Sequence, residues 1–272
     1  MIIDNFLHST VLFRITLILY LLSSLLLAAS FIIRSKGFTK LAVLILFSAF
    51  LANTAVIAER WVVADRAPFK TLYETMIFYP WCVMLVFFIL LLLYRLVALG
   101  VFSSVICLIG FVYACYKPDI EIINMPPALQ SGWFVPHVVT YFISYAALFA
   151  SFSLAILYLI LPNWRKEDSN VGFEEFYNRS MNFGFVALTL GLVMGAIWGK
   201  VAWGDYWSWD PKENWALITW FAYLAAIHLR YVSGWKGKRL ALVCIAGFCA
   251  VVFTYLGMSI LPTASGSLHV YQ

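Results

Sequence analysis

Residues 198–215 read WGKVAWGDYWSWDPKENW, with long apolar runs on either side. Six of the chain's eleven tryptophans, Trp198, Trp203, Trp207, Trp209, Trp215 and Trp220, fall within this stretch and the five residues after it. Indole presents a broad, rigid face and a single donor, so such a cluster suits a large flat ligand that stacks more than it hydrogen-bonds. An aromatic belt at a bilayer surface accounts for two or three tryptophans, not six at this spacing. Gly199 and Gly204 allow close backbone approach, and Asp210-Pro211 is a helix start, with Asp at the N-cap and Pro at the first helical position.

Working outward, 64% of the 272 residues are hydrophobic, 11% are charged and the mean hydropathy is +0.90, values that exclude a soluble domain. A bilayer core needs about 20 apolar residues per helix. The chain supplies eight such runs, at 11–33, 41–58, 75–94, 97–115, 134–161, 180–198, 215–232 and 240–261. These predict an all-α polytopic membrane protein with about eight transmembrane helices, and short loops predict a single membrane-embedded domain over residues 1–272. The first run is followed by Arg34 and Lys36 without a small-residue cleavage site, so it reads as a retained helix.

Eleven of the 18 basic residues lie in the connections after runs one, three, five and seven. Those connections are therefore expected to be cytoplasmic, with both termini and the tryptophan-rich loop on the outer side of the bilayer. The net charge of +5 mostly restates this topology and gives no reason to invoke nucleic acid. On the outer side Arg60, Arg66, Lys200 and Lys212 remain as candidate partners for the carboxylates of a ligand. Glu74 and Tyr73 open the third run, where an acid in the first turn complements the helix dipole. The five cysteines show no Cys-x-x-Cys spacing, so neither a redox pair nor a zinc site is indicated. Gly184, Gly191, Gly195 and Gly199 form Gly-x-x-x-Gly steps that permit tight helix packing, and packing is the expected role of that face.

Three of the four histidines occupy informative places. A lone histidine in a membrane helix is more often a helix contact than a ligand. His137 and His269, however, flank the tryptophan loop on the expected outer face, and two imidazoles beside an aromatic platform are what a six-coordinate porphyrin iron needs. His228 lies 18 residues beyond Asp210, roughly 27 Å along a helix, so one porphyrin cannot touch both ends.

The motif WGDYWSWDPKENWALITW resembles the WWD signature of haem-handling proteins, and the chain resembles the CcsA (ResC) family of the type II cytochrome c maturation system. PFKTLYET, LQSGWFVPHVVTYFISYA and the TYLG and LHVY segments carry the same resemblance, which spans roughly residues 60–272. The tail reads LHVY where the family commonly has LHSY. The resemblance implies a WWD loop at about 198–215 flanked by external histidine segments at about 126–137 and 262–272. It implies that His137 and His269 are external axial ligands of haem b, held non-covalently as the substrate for attachment, and that Trp203, Trp207, Trp209 and Asp210 belong to the platform. His228 matches a transmembrane histidine that receives haem from the cytoplasmic side. The implied partners are a CcsB (ResB) membrane protein and an apocytochrome c with a Cys-x-x-Cys-His segment, in a bacterial inner or thylakoid membrane. With its partner the chain would be the core of a holocytochrome c synthase. Two alternatives are a CcmC-like protein that loads a haem chaperone and, from another class, a small-molecule transporter. The latter predicts ionisable residues along the spans, which apart from His228 are nearly free of them.

Overall fold

The computed structural model describes residues 6, 7, 9–116, 125–161 and 172–257. Among the described residues the chain forms two compact units, Met1–Asn124 and Met125–Gln272, and all long elements are helices.

The first unit holds α1 (Val11–Ile33), α2 (Lys36–Ala64), α3 (Leu72–Tyr94) and α4 (Leu99–Tyr116). Thr10 and Ser35 cap α1 and α2 by accepting from Phe13 N and Phe38 N. Pro80 lies inside α3, where it withholds an amide and crowds the preceding turn. A polar patch deep in the unit answers that break. The Asn53 amide of α2, turned so that Nδ2 donates to Ile77 O at 3.2 Å, accepts from Trp81 N at 3.3 Å and from the Tyr20 hydroxyl at 3.2 Å. Ile77 and Trp81 are an i, i+4 pair of α3, so the side chain splices the ladder beside the proline. Gly110 of α4 faces the same turn, where a Cβ would sit 2.8 Å from Met76 O and 2.9 Å from Pro80 Cγ.

The second unit holds a short 3-10 turn (Pro127–Gln130), α5 (Phe134–Ile160), α6 (Phe173–Trp203), α7 (Pro211–Tyr231) and α8 (Gly237–Leu256). Three α5 side chains donate to carbonyls of α6: His137 Nδ1 to Gly191 O at 2.9 Å, Ser144 Oγ to Gly184 O at 2.7 Å and Ser151 Oγ to Tyr177 O at 2.7 Å. Both sets of positions repeat every seven residues in opposite order, the geometry of an antiparallel, coiled-coil-like seam. Helix α7 packs on α8 through Trp215 against Phe253, with ring centroids 4.1 Å apart, and through the Thr219–Thr254 hydroxyl pair at 2.7 Å. The Trp220 indole donates to Thr189 Oγ1 on α6 at 2.9 Å.

Among the described residues, seven of the eight α-helices given above are long and apolar enough to cross a membrane. Helix α7 has the length, 21 residues, but its ends carry Lys212, Glu213, His228 and Arg230, so composition alone does not mark it as a span. The helices also outrun the apolar stretches that predict them. Helix α6 continues through Trp203 and α7 begins at Pro211, which leaves a loop of residues 204–210 rather than 198–215. Backbone hydrogen bonding continues past the apolar run wherever a cap closes the end, and here Gly204 closes it at φ 93°.

Candidate functional site: an aromatic loop beside a seated histidine

The six tryptophans divide into two groups. Trp198, 3% exposed, is a core residue: its Nε1 donates to Ala128 O at 2.8 Å, and its ring packs on Phe134 at 5.3 Å and Trp203 at 4.8 Å. Trp215 and Trp220 pack α7 onto α8 and α6, as above. Trp203, Trp207 and Trp209 are the ones left at the surface of the loop end, half-buried in the first two cases and 69% exposed in the last. Trp207 and Trp209 meet edge to face at 6.2 Å.

The loop is held in a shape a free chain would avoid. Trp209 sits at φ 60°, a left-handed conformation costly for a bulky residue. Three hydrogen bonds converge on Glu213 Oε2, from Ser208 N at 2.9 Å, Ser208 Oγ at 3.2 Å and Asp210 N at 3.1 Å, and Asn214 Nδ2 ties down Trp209 O at 3.0 Å. Asp210, 6% exposed, accepts from Lys212 N at 2.8 Å and forms a capping box with Glu213, its side chain accepting from the Glu213 N–H while Glu213 accepts from Asp210 N. Across the loop Gly199 lets the chain lie back on α6, since a Cβ there would be 3.2 Å from Asp205 O.

His137 packs into the same aromatic pile. Its ring lies 5.5 Å from Trp198 at 33° and 4.9 Å from Tyr141 at 65°. Its Nδ1 faces Gly191 O at 2.9 Å. A carbonyl oxygen only accepts, so Nδ1 carries a proton, and whenever the ring is neutral its lone pair is on Nε2. That is the pattern of a metal-ligating imidazole, oriented by a hydrogen bond from its other nitrogen. The Trp207 Nε1 donor is buried with no acceptor in the structure, a place for an anionic or carbonyl oxygen of a ligand. These features fit a haem: flat hydrophobic faces, an imidazole with its lone pair on Nε2, and a donor in want of an acceptor.

Of the four cations named from sequence, Lys200 Nζ donates to Gly204 O at 2.6 Å and lies 5.5 Å from the Tyr206 ring, beside the loop. Lys212 lies in the first turn of α7. Arg60 and Arg66 belong to the first unit, where both reach the buried Glu74: Arg60 Nε to Oε1 at 3.1 Å, Arg66 Nη1 to Oε2 at 2.9 Å and Arg66 Nη2 to Oε1 at 2.9 Å. Glu74 is more than the helix-start acid its position suggests, since it also makes a capping box with Thr71 and accepts from Lys70 N at 2.8 Å. His228 is exposed near the end of α7 opposite Asp210, two residues from Arg230, whose Nη1 reaches Glu174 Oε1 at 3.3 Å. His269 lies outside the described residues; α8 ends at Leu256, at the Trp215 end of α7. Sequence reasoning missed Glu213, although Asp210-x-x-Glu213 is the spacing of a capping box, and assigned Gly191 and Gly195 to packing alone.

The family model for cytochrome C assembly protein matches residues 69–264, which take in Glu74 and the tryptophan loop. The CcsA cytochrome c biogenesis protein of Chlorella vulgaris is 34% identical over 265 residues, covering 82% of this chain and 83% of its own. That of Prochlorococcus marinus (strain CCMP1986) is 33% identical over 99% of this chain and 95% of its own. Among solved structures, the cytochrome c haem lyase CcmF superposes with a TM-score of 0.69 at 17% identity over 93% of this chain, a likeness of fold; the chain spans 47% of that protein. This chain therefore belongs to the cytochrome c assembly protein family, as a membrane-embedded component of the CcsA type in cytochrome c biogenesis.

Proposed function

We propose that the chain holds haem b, non-covalently, at the end of the second unit where α6 hands over to α7, with His137 as one axial ligand and His269 as the other. The observation that carries this reading is the His137 ring: its Nδ1 donates to Gly191 O, which leaves Nε2 as the ligating nitrogen of the neutral ring, and it packs against the tryptophan pile. Trp203, Trp207 and Trp209 supply stacking faces, and Asp210, through its capping box, fixes where α7 starts and the loop ends. The excess of Lys and Arg in alternate connections supports an outer location for this end, in the periplasm, the thylakoid lumen or the exterior of a Gram-positive cell. Together with a CcsB (ResB) partner, the chain presents haem to the Cys-x-x-Cys-His segment of an apocytochrome c. Each thiol adds across a haem vinyl group, sulfur bonding one carbon and hydrogen the other, with no net oxidation. The protein's part is orientation, exclusion of water and protection of the iron by two imidazoles. Lys200 and Lys212, at the loop end of the second unit, are the proposed propionate partners, because a carboxylate near a membrane surface is costly unless neutralised; Arg60 and Arg66 are held by Glu74 in the first unit.

His228 is proposed as a separate haem position nearer the cytoplasm. Haem content per protein, measured on the complex purified with its partner, tests both assignments. Alanine at Lys200 or Lys212 should lower haem content. His228→Ala should lower the haem reaching the loop and the yield of cytochrome c, while the spectrum of the haem that does arrive stays that of two imidazoles. Full occupancy and full maturation in His228→Ala would remove the entry role, and a complex that carries no haem at all would remove the whole reading.

A further inference from the structure

We infer that the Gly191–Gly195 turn of α6 is a slot that sets the tautomer and orientation of His137, making these glycines positioning residues for the iron-facing nitrogen. The inference rests on the axial role proposed for His137. Three of the four glycines of this face are pressed by α5 side chains: a Cβ at Gly184 would come 2.5 Å from Leu148 Cδ2, at Gly191 2.6 Å from Tyr141 Cδ2, and at Gly195 2.6 Å from His137 Cε1 and 2.8 Å from its Nδ1. A real Cβ does not approach so closely, so the imidazole occupies volume that only glycine leaves open. The same ring donates to Gly191 O, one turn back along α6. Glycine at 195 thus admits the ring edge, and the carbonyl of 191 accepts the hydrogen bond from Nδ1–H.

The slot is rigid because it is the first rung of the His137, Ser144, Ser151 ladder, whose lower rungs at 2.7 Å lock α5 and α6 in register. Trp198 and Tyr141 close the ring in from two further sides. An imidazole held this way cannot turn to offer Nδ1. The Nδ1–H to carbonyl bond also raises the basicity of Nε2 as a ligand. The glycine face is therefore a packing seam over most of its length and a ligand seat at one end.

Two measurements separate this inference from the haem reading. In the wild-type complex stripped of haem, the 15N spectrum of labelled histidine should show His137 protonated on Nδ1 and not on Nε2. The opposite tautomer overturns the slot without recourse to any variant. Hydrogen exchange at His137 Cε1, read by mass spectrometry on the same haem-free complex, should be slow in the wild type. It should quicken in Gly195→Ala but not in Gly184→Ala, which suffers an equally severe clash elsewhere on the same seam. With haem present, Gly195→Ala should retain about 10-fold less haem, the lower end of the loss when an outer-shell partner is removed. The remainder should have a disturbed low-spin spectrum that added imidazole restores. Exchange or haem retention unchanged in Gly195→Ala, or changed to the same degree in Gly184→Ala, overturns the inference. A His137→Gly spectrum identical to wild type would instead remove the haem reading on which it rests.

Discussion

Glu74→Ala should lower the stability of the protein by about 3–5 kcal/mol, the cost of stripping one partner from a buried ion pair. The Glu74 side chain is 0% exposed, and the Arg60 and Arg66 side chains that hold it are 12% and 9% exposed. Removing the carboxylate leaves two guanidiniums facing each other with little access to water, and also deletes the acceptor for Lys70 N and Thr71 N at the start of α3. Glu74→Gln keeps one acceptor but no charge, so it should fall between wild type and alanine. Thermal unfolding in detergent measures the order. A Glu74→Ala midpoint within a degree of wild type would show that the cluster contributes nothing to the fold. The triple variant with Arg60 and Arg66 replaced by methionine should recover much of the loss, because the cost is that of the orphaned charges rather than of the missing pair.

Glu213→Ala should reduce haem affinity about 10- to 100-fold, which corresponds to about 1.4–2.7 kcal/mol of lost loop order. Glu213 Oε2 is the common acceptor for Ser208 N, Ser208 Oγ and Asp210 N, on both sides of a tryptophan held at φ 60°. A strained residue persists only while its surroundings over-determine it. Without Glu213 the Trp209 backbone relaxes to negative φ and the Trp207–Trp209 pair no longer presents one fixed surface. Glu213→Gln, with one carbonyl oxygen still able to accept, should lose less. Haem titration of the apo complex reads the ratio, and equal affinity in wild type and Glu213→Ala would show that the loop's shape does not matter for haem.

The start of α7 was legible because Asp-Pro states its chemistry in two adjacent residues, and the structure puts Asp210 and Pro211 at the N-cap and first turn. The membrane class was equally plain, since apolar runs of this length have few other uses. The seam between α5 and α6 was not legible. His137, Ser144 and Ser151 look like three unrelated polar residues until their acceptors are known, and those acceptors are backbone carbonyls, which leave no mark on the residue type. The tryptophan cluster misled in a related way. Trp198, Trp215 and Trp220 share the motif's stretch but face helix neighbours, because helical periodicity sorts nearby residues onto different faces. The division into two units left no trace either, since the linking residues differ little in composition from other loops. The pairing of Arg60 and Arg66 with Glu74 was hidden for the same reason that most ion pairs are: charge gives the sign of a partner, not its address.

The central claim, that His137 is an axial ligand of haem held beside the tryptophan loop, is tested most directly by the absorption spectrum of the His137→Gly complex purified with its partner, recorded before and after adding imidazole. The wild type should show the low-spin spectrum of iron bound by two imidazoles. His137→Gly should lose it, since one coordination position opens, and imidazole entering the space of the deleted side chain should restore it. A His137→Gly complex whose spectrum is that of the wild type without any added imidazole would contradict the assignment.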